Sequence, residues 1–144
     1  ISMAPGVATG TTQIPYDDTP PQITEGDQYM TASLAASSGA NVVDIEHQGA
    51  YAVAAGANNQ MSVALFKNGV ASAIAASSLE IPNNGNVCML GIRTFRLASS
   101  TGTLAYDVRA GSEAATTTTF NGHTSGRIFG GVMGSYLKLS EIMA

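Results

Sequence analysis

The stretch "MSVALFKNGVASAIAASS", residues 61–78, decides the fold class of this 144-residue chain. A short apolar run in 61–69 ends in an Asn-Gly pair, which is the strongest short-range signal for a β-hairpin. The run after the pair, 71–78, is rich in Ala and could favour a helix. Gly and Ser leave too little room for three helical turns, so we predict a hairpin.

Similar runs extend outward from this hairpin in both directions. They favour β-branched and aromatic residues and are separated by Gly, Asn and Pro, a pattern typical of strands. One of them, 41–55, places Val43, Ile45 and His47 on the same face. About eight to ten strands in one domain fit a two-sheet jelly roll. Strands are predicted in 27–35, 41–55, 61–69, 71–78, 87–98, 103–111, 116–122 and 131–142.

The amino-acid composition limits which classes of function the chain could have. Charged residues make up 11% of the chain, against about 25% in an average soluble domain. We expect such a chain to hide surface in an oligomer or to cover it with Ser, Thr and Asn. Six Lys and Arg residues and a net charge of -4 provide no basic stripe, so nucleic acid is excluded as a partner. No apolar run approaches the ~18 residues of a membrane helix, so membrane insertion is excluded.

The chain divides into two parts by composition. Residues 1–26 hold four of the five prolines and show little alternation, so we expect an extended Pro/Gly/Thr-rich segment that follows the body or forms a linker. Residues 27–144 are predicted to form the jelly-roll β-sandwich. The first residue is Ile1, from which we expect the chain to be a fragment or a processed product. The single cysteine, Cys88, lies in an apolar run and should pack as a small hydrophobe.

Catalytic and metal-binding patterns are weak. The two histidines, His47 and His123, are far apart, and there is no Gly-x-Ser-x-Gly elbow. Four acids lie in residues 17–27, but their spacing fits no Ca²⁺ loop, and turn chemistry explains them equally well. We therefore expect a protein that is not an enzyme and has no cofactor and no metal.

Four segments of the chain carry distinctive motifs: "GTTQIPYDDTPPQITEGDQYM" (10–30), "VALFKNGVASAIAA" (63–76), "YDVRAGSEAATTTTFNG" (106–122) and "RIFGGVMGSYLKLSEI" (127–142). Together they resemble the C-terminal domain of phage tail-fibre and tailspike proteins. The doubled proline, Pro20-Pro21, departs from these proteins, which often have a single one. The pattern of strands and turns is also similar to the trimeric jelly roll of the C1q and tumour-necrosis-factor-like proteins.

The resemblance implies a non-enzymatic domain in a virion appendage. Such a domain would be a homotrimer that locks the fibre and binds a receptor on the bacterial surface, for example a polysaccharide. In the related jelly rolls the last strand lies in the inner sheet, near the threefold axis. The main alternative is a stand-alone, lectin-like carbohydrate-binding module. An enzyme acting on cell-surface polymer is a third option.

The last predicted strand carries apolar residues on both faces. Leu137 and Leu139 share one face, which we expect to lie inside the subunit. Tyr136 and Ile142 share the other face and are expected at or near the trimer interface. Gly130, Gly131 and Gly134 should let the chain turn as it enters this strand.

Charged residues inside strands must reach solvent or a partner. Arg93 and Arg96 are three apart and should face opposite sides of their strand, whereas Asp107 and Arg109 share a face. Ion pairs between strands or subunits are favoured over recognition of an acidic sugar. Arg93 and Arg109 are therefore further candidates for the trimer interface.

Loop residues are the candidates for receptor contact. The absence of Trp lowers the expectation of an aromatic sugar platform. Asn-rich loops are compatible with sugar binding, but they are equally good turns. The receptor-loop candidates are Asn58, Asn59, Asn83, Asn84, Asn86 and His123.

Overall fold

The computed structural model describes residues 1–4, 6–54, 59–124 and 126–144. It confirms an all-β chain, and its described part contains no α-helix. Two antiparallel sheets enclose one core, as expected for a β-sandwich. Sheet A contains β1 (Ser2–Ala4), β2 (Ala8–Gly10), β4 (Val42–Val53), β7 (Val87–Leu97), β9 (Thr118–Phe120) and β12 (Ser135–Ile142). Sheet B contains β3 (Asp27–Ala36), β5 (Asn59–Lys67), β6 (Ala75–Ile81) and β8 (Gly102–Ser112).

Strand β4 organises sheet A. Its residues 42–48 pair with β12 on one edge, and its residues 42–52 pair with β7 on the other. Strand β9 pairs with the end of β4, and β1 and β2 pair with β12 and β9. Sheet B has the order β3-β8-β5-β6. A small hairpin of β10 (Gly122–His123) and β11 (Gly126–Arg127) and a 3₁₀ turn, η1 (Phe129–Gly131), precede β12.

The predicted hairpin is present between β5 and β6. Gly69 has a φ of 82°, and the Val70 N–H donates to the Lys67 carbonyl at 3.0 Å. The second strand begins at Ala75, however, and the prediction that it covers 71–78 is wrong at its start. The preceding residues, 71–73, bond instead to the N-terminal segment, which occupies their hydrogen-bonding groups.

The core lies between the sheets and is rich in aromatic residues. Tyr51 and Phe120 of sheet A pack with Tyr29 of sheet B, with ring centroids 5.1–6.2 Å apart. Cys88 packs against this core as expected, and burial raises the pKa of its thiol to about 11. Other fully buried side chains include Ile45, Met61, Val63, Leu65, Tyr106 and Leu137.

The closing strand follows the predicted alternation. Leu137 and Leu139 are buried, which confirms their expected place inside the subunit. Gly130 and Gly131 adopt φ angles of 62° and 88°, so they make the expected turn. This turn delays the start of β12 to Ser135, four residues later than predicted.

The N-terminal segment packs against the β-sandwich and is not a free linker. Residues 11–26, which we call the strap, cross the outer face of sheet B. Ile14 of the strap is 1% exposed and packs with Ala64 and Phe66 on that face. The Ile14 N–H donates to the Ser112 carbonyl at 3.2 Å. The strap therefore covers the part of sheet B's outer face around Ala64 and Phe66, whereas Thr31 and Ser33 of β3 on the same face stay exposed.

Candidate functional site

The outer face of sheet A, which we call the open face, has no comparable cover from any described segment of the chain. It is formed by alternate residues of β12, β4 and β7. The register places Lys138, Glu46 and Arg93 side by side across the three strands. Above and below them lie Tyr136, Gln48, Ser140, Asp44, Phe95, Ile142, Val42 and Leu97.

The charged groups of the open face form pairs within the subunit. Arg93 binds Asp44 in a bidentate manner, with Nε–Oδ1 and Nη2–Oδ2 distances of 3.1 and 2.9 Å. This pair confirms the expected ion pair between strands for Arg93. Its hydrogen bonds lower the pKa of Asp44.

Glu46 is the second acid of the open face and has two partners. The Tyr136 hydroxyl donates to Glu46 Oε1 at 2.6 Å, and this bond raises the pKa of Tyr136. Lys138 Nζ lies 3.8 Å from Glu46 Oε2. The two acids and the two bases of the open face, Asp44, Glu46, Arg93 and Lys138, are therefore all paired.

Apolar side chains surround this charged centre. Phe95 lies against the Arg93 guanidinium, whose carbon is 5.3 Å from the ring centroid. Five large apolar side chains on the strands of sheet A are exposed to solvent in a single subunit. Their exposed fractions are 73% for Met3, 51% for Met89, 51% for Phe95, 61% for Leu97 and 46% for Ile142.

A buried polar pair supports the open face from below. His47 donates from Nδ1 to the Tyr136 carbonyl, and the Tyr51 hydroxyl donates to His47 Nε2, each at 2.9 Å. The carbonyl can only accept, so this arrangement requires neutral His47 with its proton on Nδ1. Burial lowers the pKa of His47 to about 4. A Cβ at Gly49 would lie 2.9 Å from both His47 Nε2 and Tyr51 Oη, so the pair requires glycine there.

The end of β12 is fastened to the loop after β3. Glu141 Oε1 accepts from the Ser37 N–H at 2.8 Å, the Ser37 hydroxyl at 3.0 Å and the Asn41 amide at 2.8 Å. These bonds lower the pKa of Glu141, the Asn41 amide most strongly. The last strand is therefore held in place at its C-terminal end.

Arg109 lies on the opposite side of the molecule from the other interface candidates. It faces outward from sheet B, where its guanidinium donates to the carbonyls of Glu25 and Gly26 in the strap at 2.8–3.2 Å. Its partners are backbone oxygens of its own subunit and not a carboxylate. The structure therefore brings Tyr136, Ile142 and Arg93 together but separates Arg109 from them.

Several receptor-loop candidates come together at one end of the sandwich. Asn83, Asn84 and Asn86 are exposed in the turn after β6. Gly85 of this turn packs so closely on His123 that an added Cβ would lie 2.6 Å from the imidazole Nε2. Asn59 is opposite Ile81 in the β5–β6 pairing but is buried, so it does not offer a loop contact. Asn58 lies outside the described residues.

Three of the four N-terminal acids accept local hydrogen bonds. Asp17 accepts from Thr19, Glu25 accepts from the Gln22 N–H, and Asp27 accepts from Thr12. In the described ranges no group of three potential metal-ligating side chains comes together. None of the described segments is a helix long and apolar enough to cross a bilayer.

The exposed apolar residues of β7 were missed by sequence reasoning. The run 87–98 is apolar on both faces, with Leu90 and Ile92 buried on one and Met89 and Phe95 exposed on the other. A strand with one face in water normally alternates apolar and polar residues. The lack of apolar–polar alternation in this strand was therefore the sequence signal for an exposed apolar surface.

Comparison with known proteins does not identify a family. The chain matches no protein-family model, and no characterised protein has a significant match to its sequence.

Proposed function

We propose that this chain is a jelly-roll domain that assembles as a homotrimer through its open face. The order of the main strands supports the jelly roll. Strands β1, β12, β4 and β7 lie side by side in sheet A, and β3, β8, β5 and β6 do so in sheet B. Apart from the β5–β6 hairpin, successive main strands alternate between the two sheets, as jelly-roll connections do.

The open face is the observation that carries this proposal. Contiguous exposed apolar surface on a soluble protein marks an interaction site. Three copies around a threefold axis would each present the same face, and Met89, Phe95, Leu97 and Ile142 would leave water there. Low overall charge agrees with this arrangement, because buried surface does not need charged groups for solubility.

The charged centre of the open face is suited to burial. An unpaired charge is costly to remove from water, whereas a hydrogen-bonded pair loses much less. Arg93 already binds Asp44, and Glu46 already binds Tyr136 and Lys138. Assembly would thus bury no charge that lacks a partner.

We further propose that the trimer belongs to a virion appendage, such as a phage tail fibre or tailspike, and is not an enzyme. The resemblance of four sequence segments to such proteins supports this role. The loop end with Asn83, Asn84, Asn86 and His123 would face the bacterial surface. The alternative, a stand-alone lectin-like module, would use the same loops as a monomer or dimer.

Two measurements test the proposal. Multi-angle light scattering at micromolar concentration should give three times the 14.7 kDa chain mass, and a monomer would overturn the trimer. Labelled protein should bind host cells that carry their surface polysaccharide and lose binding when the polysaccharide is removed. If the protein is a trimer that binds no cells, the proposed assembly stands and the proposed receptor binding is contradicted.

A further inference from the structure

A groove lies between the strap and the edge strand of sheet B. Its volume is about 230 Å³, and Tyr16, Asp17, Thr19, Ser62 and Ser78 are among its lining residues. This volume is below the roughly 300–1,000 Å³ of a pocket for a drug-sized ligand. It therefore suits a single ring-sized group that remains partly open to water.

One wall of the groove offers an aromatic surface. The Tyr16 side chain is 62% exposed although it lies next to the buried Ile14. Pro15 precedes Tyr16 and Pro21 closes the loop, so the backbone around the ring has limited freedom. An exposed ring on a stiff loop loses little conformational entropy when a flat apolar surface stacks on it.

Asp17 provides a fixed acceptor beside this ring. Its Oδ1 accepts from the Thr19 N–H at 2.8 Å and from the Thr19 hydroxyl at 2.6 Å. These bonds lower the pKa of Asp17, so the carboxylate is ionised at neutral pH. They use only one of the two carboxylate oxygens. An ionised carboxylate accepts hydrogen bonds only, so it favours a ligand with hydroxyl donors and disfavours an anion.

The opposite wall consists of serine hydroxyls on sheet B. Ser62 donates to the Ser78 hydroxyl at 3.1 Å, and Ser78 is within hydrogen-bond distance of the Met61 carbonyl at 3.1 Å. Ser78 is exposed and can also accept from a ligand. The groove thus combines an aromatic plane, a fixed carboxylate and a hydroxyl.

We propose that this groove binds one ring of an uncharged hexose saccharide. The apolar face of the ring would stack on Tyr16, and adjacent hydroxyls would donate to Asp17 and bond with Ser78. The site extends the receptor-binding part of the proposed function and is separate from the Asn-rich loop end. All its lining residues belong to one subunit, in the strap and in sheet B, on the side of the molecule away from the open face, so binding does not depend on assembly.

The test uses saturation-transfer NMR on the full chain with the methyl glycosides of glucose, galactose and mannose. At least one should bind in the millimolar range. The methyl glycoside of glucuronic acid, which differs from the glucoside in its carboxylate, should bind more weakly because Asp17 repels it. If none of the three neutral glycosides binds while the trimer is intact, saccharide binding in the groove is contradicted and the proposed assembly is not affected.

Four substitutions locate the binding. Tyr16→Ala and Asp17→Asn should each weaken it by about tenfold, the factor expected for loss of one good contact. Tyr16→Phe keeps the ring, and Asp18→Asn makes the same charge change at an exposed neighbour outside the groove, so both should bind like the unmodified protein. The amide oxygen introduced by Asp17→Asn can still accept from Thr19, which preserves the turn. Equal binding by all four variants would overturn the proposal.

Discussion

The two outer faces of the sandwich differ in how far the chain itself covers them. On sheet B, residues 11–26 of the same chain cover Ala64 and Phe66, and Arg109 fastens this cover through the carbonyls of Glu25 and Gly26. On sheet A, the corresponding surface carries exposed Phe95, and no described segment of the chain lies over it. One face is thus partly covered within the subunit and the other stays exposed, a difference that supports the proposed assembly through the open face.

A charge placed in the open face should have the largest effect. Phe95→Glu would add one carboxylate per subunit beside Arg93, which already binds Asp44, and burial of this excess negative charge would cost several kcal/mol. We expect light scattering to show a monomer at micromolar concentration, where the proposal requires the unmodified protein to be a trimer. Leu79→Glu is the matched control, because Leu79 is similarly exposed but belongs to sheet B. A trimeric Phe95→Glu variant would place the interface elsewhere.

Removal of the strap's anchor should destabilise the subunit without dissociating it. Ile14→Ala leaves a cavity over sheet B and should lower the free energy of unfolding by about 2–5 kcal/mol. Urea unfolding measures this loss. Tyr16→Ala, two residues further on, should change stability by less than about 0.5 kcal/mol because Tyr16 is exposed. Equal effects of both changes would show that the strap does not cover a core.

Acid should weaken sheet A through His47. Its pKa is about 4 in the folded chain and about 6.5 when unfolded, so between these values the unfolded state binds the extra proton. Stability is therefore fully present above about pH 6.5 and falls by on the order of 3 kcal/mol as the pH drops to about 4.

Urea unfolding of the Phe95→Glu monomer across this range measures the slope of stability against pH. His47→Gln removes the titrating group and should reduce that slope, whatever its effect on absolute stability. An unchanged slope in His47→Gln would show that another group is responsible.

The smallest effect concerns the Arg93–Asp44 pair. In the Phe95→Glu monomer water reaches the pair from the Arg93 side, because the Arg93 side chain is 59% exposed and that of Asp44 only 10%. A double-mutant cycle with Arg93→Met and Asp44→Ala should then give a coupling below about 1 kcal/mol. In the trimer the same pair would lose water, and the coupling should rise above about 1.5 kcal/mol. Equal couplings in both backgrounds would place the pair outside the interface.

Local signals in the sequence predicted the strands and their faces. Asn68-Gly69 predicted the hairpin, and period-two alternation placed Leu137 and Leu139 in the core, because each signal depends on neighbouring residues only. The strap depends on pairing between residues 21–23 and 71–73, far apart in the chain. No local pattern encodes such a contact.

The partners of charged side chains were harder to predict. Arg93 finds a carboxylate on the adjacent strand, where register limits the choice. Arg109 finds backbone carbonyls, which every residue carries and which leave no trace in sequence. Tyr16 was overlooked because its groove forms only when the strap lies against sheet B.

Oxidative footprinting tests most directly whether neighbours complete the open face. Met89 should be oxidised much more slowly in the unmodified protein than in the Phe95→Glu monomer, because assembly covers it. Tyr16, on the face completed by the strap, should react equally in both. Equal oxidation of Met89 in the two proteins would contradict the account, since the open face would then be exposed to water in the assembled state.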